Sequence, residues 1–229
     1  MKNLITAPVN EVFFSYQGEG IYAGLPQIFV RFSGCNLKCS YCDTNFSKAK
    51  QFNARELFKK TNKVYLKNNK KFVFGKPSVA ITGGEPLLQA DFLKEYLKLL
   101  KKEGFSTYFE TNATLPDELK KVVSLCDIIS ADIKLPSDAQ KNVFKLCEKI
   151  LKMAPKKTFV KTVVTEKTKF TEFKQALKLV KKINPSMPFI IQPSSKKVFP
   201  TLYAYVFEAK KSLKNVIILP QLHKIFDYK

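Results

Sequence analysis

Seven short apolar or β-branched runs punctuate this chain, QIFVRF (27–32), SVAIT (78–82), STYFE (106–110), IISAD (128–132), TFVKTVV (158–164), PFIIQ (188–192) and NVIILP (215–220), with helix-period segments between them. The candidate helices lie near 53–67, 86–103, 116–125, 137–153, 168–183 and 199–213. Strands separated by helix-length connections pair in parallel through crossovers, because a tight turn can only join antiparallel neighbours. Asn53 with Glu56 three residues on predicts a capped helix start, and Gly104 after LKLLKK predicts a stop. The pattern predicts an α/β chain with a mostly parallel sheet, an incomplete (β/α) barrel, although an open doubly wound sheet fits the alternation equally well. At 229 residues, somewhat under the roughly 250 of a complete barrel, one domain over 1–229 is expected.

In such sheets ligands sit at the carboxyl ends of the strands, so the residues just after each run are informative. After 27–32 comes SGCNLKCSYCDTNF (33–46), with Cys35, Cys39 and Cys42 in a chain of five cysteines. An odd, clustered set is not a disulfide framework and points to metal in a reducing compartment. Cys126 and Cys147 stand alone in apolar surroundings and read as buried thiols. Three thiolates leave open structural zinc with a distant fourth ligand, an electron-transfer cluster, or an iron–sulfur cluster with one iron free for a ligand. After 78–82 comes Gly83-Gly84-Glu85-Pro86, where glycines permit close backbone approach; Glu85 and Pro86 also fit a helix start.

The net charge of +21 invites a nucleic-acid reading. Against it, the lysines are dispersed along helix faces, and the basic residues include only two arginines, Arg31 and Arg55. No direct, specific nucleic-acid contact is expected. No run approaches the roughly 18 apolar residues of a membrane span, so no membrane partner is expected and a cytoplasmic location is.

Cys35-x3-Cys39-x2-Cys42, followed one strand unit later by Thr82-Gly83-Gly84-Glu85-Pro86, resembles the radical S-adenosylmethionine (SAM) superfamily. That resemblance implies a 4Fe–4S cluster on Cys35, Cys39 and Cys42, whose open iron chelates SAM, and a one-electron cleavage to a 5′-deoxyadenosyl radical. "FFSYQGEG" (13–20), "RFSGCNLKCSYCDTNFS" (31–47), "TGGEPLLQ" (82–89) and "LPQLHK" (219–224) together resemble the 7-carboxy-7-deazaguanine synthases, lyases that contract 6-carboxytetrahydropterin in queuosine biosynthesis. A glycyl-radical activating enzyme and a zinc-stabilised nucleic-acid-binding module are the alternatives.

For SAM, the resemblance implies Tyr41, Cys42 and Asp43 near the adenine, Gly84 and Glu85 at the methionine end, and Ser130, Asp132 and Gln192 at the ribose or carboxylate; Lys134 competes with Asp132 for that contact. Glu110, Thr111 and Asn112 close the neighbouring loop. For the pterin it implies Gln17, Gly18, Glu19, Arg31, Thr82, His223 and the terminal carboxylate of Lys229. Read locally, Gly18 and Gly20 also fit a surface turn, and Arg31 fits either a fork for a substrate carboxylate or an ion pair with a structural acid. Thr44 is implied as a Mg2+ ligand, most of whose shell must be water and substrate oxygens. An electron-donor protein such as flavodoxin or ferredoxin, and a homodimer, are the implied partners.

Overall fold

The computed structural model describes residues 4–42, 44, 48–72, 75–194 and 201–226, without the side chains of Lys71 and His223. Among these, nine strands form one sheet in the order β3-β1-β2-β4-β5-β6-β7-β8-β9. From β2 (Pro26–Phe32) through β4 (Ser78–Gly83), β5 (Ser106–Thr111), β6 (Ile128–Asp132), β7 (Thr158–Val164) and β8 (Phe189–Pro193) to β9 (Val216–Ile218), every neighbouring pair is parallel and in chain order. A doubly wound sheet reverses its strand order at a switch point; the parallel run from β2 to β9 never does. Right-handed crossovers taken always in one direction put the helices on one face, so the sheet curls into an unclosed barrel. An incomplete barrel is the correct member of the expected pair.

Two strands were not anticipated. β1 (Thr6–Tyr16) pairs antiparallel with β2, with a register break between Val9 and Glu11, and β3 (Lys50–Asn53) pairs antiparallel with β1. They widen the sheet on the side that carries the cysteine loop.

The helices are α1 (Ala54–Asn68), α2 (Ala90–Lys102), α3 (Pro116–Val122), α4 (Pro136–Ala139), α5 (Phe144–Met153), α6 (Phe170–Ile183), α7 (Leu202–Ser212) and α8 (Leu222–Phe226). The capping box at α1 is present in both directions, at 3.0 Å each, and Gly104, at φ 76°, follows α2 as expected. On α2, Phe92, Leu93, Tyr96, Leu97 and Leu100 fall on one stripe and are buried, each such side chain contributing about 1.5–3 kcal/mol. The Tyr96 hydroxyl meets the Thr61 hydroxyl at 2.7 Å, satisfying two buried polar groups between α1 and α2. The single helix expected over 137–153 is two: Gln140, in the left-handed conformation at φ 54°, ends α4 and redirects the chain before α5. No helix of the described residues is long and apolar enough to cross a membrane.

Alternation along the parallel strands sends one set of side chains outward to the helices and the other into the barrel. Inside, Phe29, Ala80, Tyr108, Phe159 and Ile190 pack as one cluster, joined by Phe13, Tyr22 and Ile128. This is the floor on which the site stands.

Candidate functional site

One inner-facing position further along each strand the chemistry changes. Arg31, Thr82, Glu110, Ser130, Asp132, Lys161 and Gln192 replace the apolar floor and line a cavity of about 630 Å3. The cysteine loop, the turn at 17–19 and the start of α8 close over the same space.

Cys35, Cys39 and Cys42 border this cavity on the loop that leaves β2. Ser40 fastens that loop to α4, its N–H and hydroxyl each 3.0 Å from Asp138 oxygens. Burial raises the Cys35 thiol pKa and pushes Cys39 up to about 11, and each of these thiols also feels Cys42. Metal binds such groups as thiolates, so binding here would release their protons. Among the described residues no three His, Cys, Asp or Glu side chains converge on a single-ion position. A cluster spreads its cysteine sulfurs over separate iron corners, so three bordering thiols and an open side suit a cluster better than one ion.

Gly83 and Gly84 make the loop possible. Gly83 has φ 137°, and a methyl on Gly84 would stand 2.0 Å from the Gly34 carbonyl oxygen and 2.9 Å from Cys35 Cβ. The N–H groups of Gly84 and Glu85 donate to the Phe32 and Gly34 carbonyls at 3.3 and 2.9 Å, zipping the two loops together. The Glu85 carboxylate, expected at the methionine end of SAM, also organises the loop. It is fully buried, does not line the cavity, and accepts from the Leu87 N–H at 3.0 Å, the Asn112 N–H at 2.7 Å and the Thr111 hydroxyl at 3.0 Å. These three donors tie the turn after β4 to the residues that follow β5. Burial, partly opposed by those donors, pushes its pKa up to about 7.

Gln17 is buried and bonds on both sides. Its amide nitrogen donates to Gln27 Oε1 at 3.0 Å and Glu110 Oε1 at 3.1 Å, and its oxygen accepts from the Glu19 N–H at 3.1 Å. Thr82 donates to the other Glu110 oxygen at 2.8 Å. Gly18 accepts from the Leu222 N–H at 2.9 Å, docking α8 on this turn. Arg31 pairs through Nε with Glu11 at 2.8 Å and lies over the Phe13 ring, so the structural acid expected as one option is there.

A buried charge chain crosses the cavity wall. Glu19 accepts from Gln221 at 2.6 Å and pairs with Lys161; Lys161 reaches Asp132 at 3.3 Å; Asp132 pairs with Lys134 at 2.8 Å; and Lys134 sits over the Tyr41 ring. Burial alone would lower both lysine pKa values, but the carboxylates outweigh it and hold them above the ordinary range. Asp132 and Lys134, alternatives for one contact in the sequence, are partners of one another. Lys161 was missed. Its signal was a lysine in an otherwise uncharged strand, two residues after Phe159 and therefore on the same face.

Gln192 is 1% exposed, yet among the described residues neither its amide nitrogen nor its oxygen has a partner, and the Tyr41 hydroxyl and Asp132 Oδ1 are likewise unpaired there. Buried polar atoms left without partners on a cavity wall fit a polar ligand such as SAM. Ser130 and Thr44 also line the cavity. Asp43 and Lys229 lie outside the described residues, as does the side chain of His223, whose backbone belongs to α8.

A family model for the radical SAM superfamily matches residues 29–190. The 7-carboxy-7-deazaguanine synthase of Methanopyrus kandleri is 33% identical over 96% of this chain and 93% of that protein. The enzyme of the same name from Geobacter sulfurreducens is 34% identical over 95% and 96%. Among solved structures, QueE from Escherichia coli matches the fold with a TM-score of 0.63 at 20% identity, covering 95% of each chain.

Proposed function

Because the chain belongs to the radical SAM superfamily and, within it, to the 7-carboxy-7-deazaguanine synthases, we propose that it converts 6-carboxy-5,6,7,8-tetrahydropterin to 7-carboxy-7-deazaguanine. The observation that carries this is convergence: the three-cysteine loop, the Gly83–Gly84 cradle and the Gln17–Glu19 turn all open on one cavity whose wall holds an unpaired buried amide.

Cys35, Cys39 and Cys42 hold a 4Fe–4S cluster. Bound there with SAM, it supplies the hydrogen abstraction that starts ring contraction and ammonia loss. Tyr41, Cys42, Asp43, Gly84, Glu85, Ser130, Asp132 and Gln192 hold SAM, the amide of Gln192 supplying a donor and an acceptor that no group among the described residues uses. Gln17, Gly18, Glu19, Thr82, His223 and Lys229 hold the pterin. Arg31 meets its carboxylate with the guanidinium nitrogens other than the Nε that holds Glu11. The apolar floor beneath keeps water and competing hydrogen donors from the reacting carbon.

Thr44 binds Mg2+ together with water and substrate oxygens, so metal affinity rises when substrate is present. A flavodoxin or ferredoxin supplies the electron, the chain is one radical SAM domain that works as a homodimer, and the product enters queuosine biosynthesis. The test is anaerobic: cluster-loaded protein, reductant, SAM, Mg2+ and 6-carboxytetrahydropterin, followed by chromatographic detection of the deazaguanine. A loaded protein that cleaves SAM but yields no deazaguanine overturns the substrate assignment.

A further inference from the structure

Asn112 directly follows β5 behind the cysteine loop and is 5% exposed. Its side-chain nitrogen donates to Cys35 Sγ at 3.7 Å and to Asn36 Oδ1 at 2.9 Å. Its oxygen accepts from the Thr114 hydroxyl at 2.6 Å and the Thr114 N–H at 3.2 Å. The Asn36 amide in turn donates to the Thr114 hydroxyl at 2.8 Å, closing a ring. Two donors on the oxygen fix the amide's sense, so the nitrogen is the end that faces sulfur. The Asn112 N–H is itself held by Glu85 at 2.7 Å, and Ala113, at φ 56°, turns the chain so that Asn112 and Thr114 meet.

This is more apparatus than anchoring a loop requires. Backbone bonds from Glu85 and Gly84 already tie the loop to β4, and Ser40 ties it to α4. What the ring adds is one oriented N–H aimed at a cluster ligand. Hydrogen bonds to the sulfurs are a protein's means of setting a cluster's potential, because the reduced cluster places more negative charge on sulfur and gains more from the donor.

We infer that Asn112 is a tuning residue, which raises the reduction potential of the cluster by donating its side-chain amide to the sulfur of Cys35; the inference rests on the cluster assignment above. The electron still comes from the external donor protein. Asn112 makes accepting it easier.

Asn112→Ala, reconstituted anaerobically and checked for full iron and sulfide content, is titrated against solution potential while the reduced-cluster electron paramagnetic resonance signal is followed. The reduced-to-oxidised ratio at a fixed poise should fall about tenfold, a shift of about 59 mV for one electron. Thr114→Val, which keeps the donor but frees the amide to rotate, should shift it in the same direction by less. An unchanged potential in fully loaded Asn112→Ala overturns the inference while leaving the enzyme reading intact. Should that variant hold no cluster, the wild-type protein decides: 15N in asparagine side-chain amides should give a hyperfine coupling to the reduced cluster, and no coupling overturns the inference. A wild-type protein that forms no iron–sulfur cluster overturns both.

Discussion

The floor and the rim of the barrel are built from the same strands and face the same interior, two residues apart, yet they obey opposite rules. Phe29, Ala80, Phe159 and Ile190 satisfy themselves by contact alone, and the Tyr108 ring packs with them. Arg31, Thr82, Glu110, Asp132, Lys161 and Gln192 require named partners: Glu11 for Arg31, Gln17 and Thr82 for Glu110, Glu19 and Asp132 for Lys161. Gln192 has none among the described residues. A floor of interchangeable apolar volume tolerates imprecision, whereas a rim of buried charges tolerates none, because each unpaired member costs the full penalty of leaving water. The contrast separates what folds the chain from what gives it chemistry.

The sharpest way to test that separation is to remove chemistry without touching packing. Cys42→Ala, at an exposed position, should take product formation below detection while the apoprotein's urea stability stays within about 0.5 kcal/mol of wild type. A stability loss several times larger would mean the loop is part of the folding unit. Conversely, Phe159→Ala removes floor. The ring sits in contact range of Tyr22 and Tyr108 and against Gly20, so about 3–5 kcal/mol of stability should go, measured by chemical denaturation. The folded fraction should still load iron and sulfide.

Lys161→Met would break the comparison most directly, for it asks whether the rim also holds the fold. With Lys161 gone, Glu19 loses this ion pair and Asp132 keeps the one with Lys134. A buried pair stripped of one partner costs about 3–5 kcal/mol, and adding Glu19→Gln should recover part of it. A loss under about 1 kcal/mol in the single variant would show that the rim is solvated enough to be optional.

How much of this was legible in the sequence is explained by the same contrast. The parallel strands announced themselves because their outward residues, such as Ile28, Val30, Ile81, Phe109 and Ile191, are mostly apolar or β-branched. β1 did not: Pro8, Asn10 and Glu11 interrupt its apolar residues, and its register break spoils the alternation that would have marked it. β3, KQFN, is too short and polar to signal anything. The helix break at Gln140 carries no glycine or proline. At the site, contiguous motifs could be read because their residues share a loop, whereas Lys161 and its partners Glu19 and Asp132 come from distant segments that only the register brings together. Glu85 is the instructive case. Its position beside two glycines suggested a ligand contact, while the capping alternative, open in the sequence, describes the bond it makes to Leu87.

That residue sits behind the rim and belongs to neither layer, and it carries the smallest effect with the clearest sign. The Glu85 carboxyl titrates at about 7 in the folded protein because burial disfavours its charge, against 4.5 for a solvated glutamate in the unfolded chain. Between those values the folded state holds a proton that the unfolded state has released, so stability falls as pH rises from about 4.5 to about 7 and levels off above. The full shift corresponds to about 3 kcal/mol. Glu85→Gln keeps one acceptor for its neighbours and cannot ionise, so this segment of the pH–stability curve should flatten in the variant, read from urea midpoints across the window. If wild type and variant run parallel, Thr111, Leu87 and Asn112 stabilise the anion well enough to cancel its burial, and Glu85 is to be counted with the charged rim.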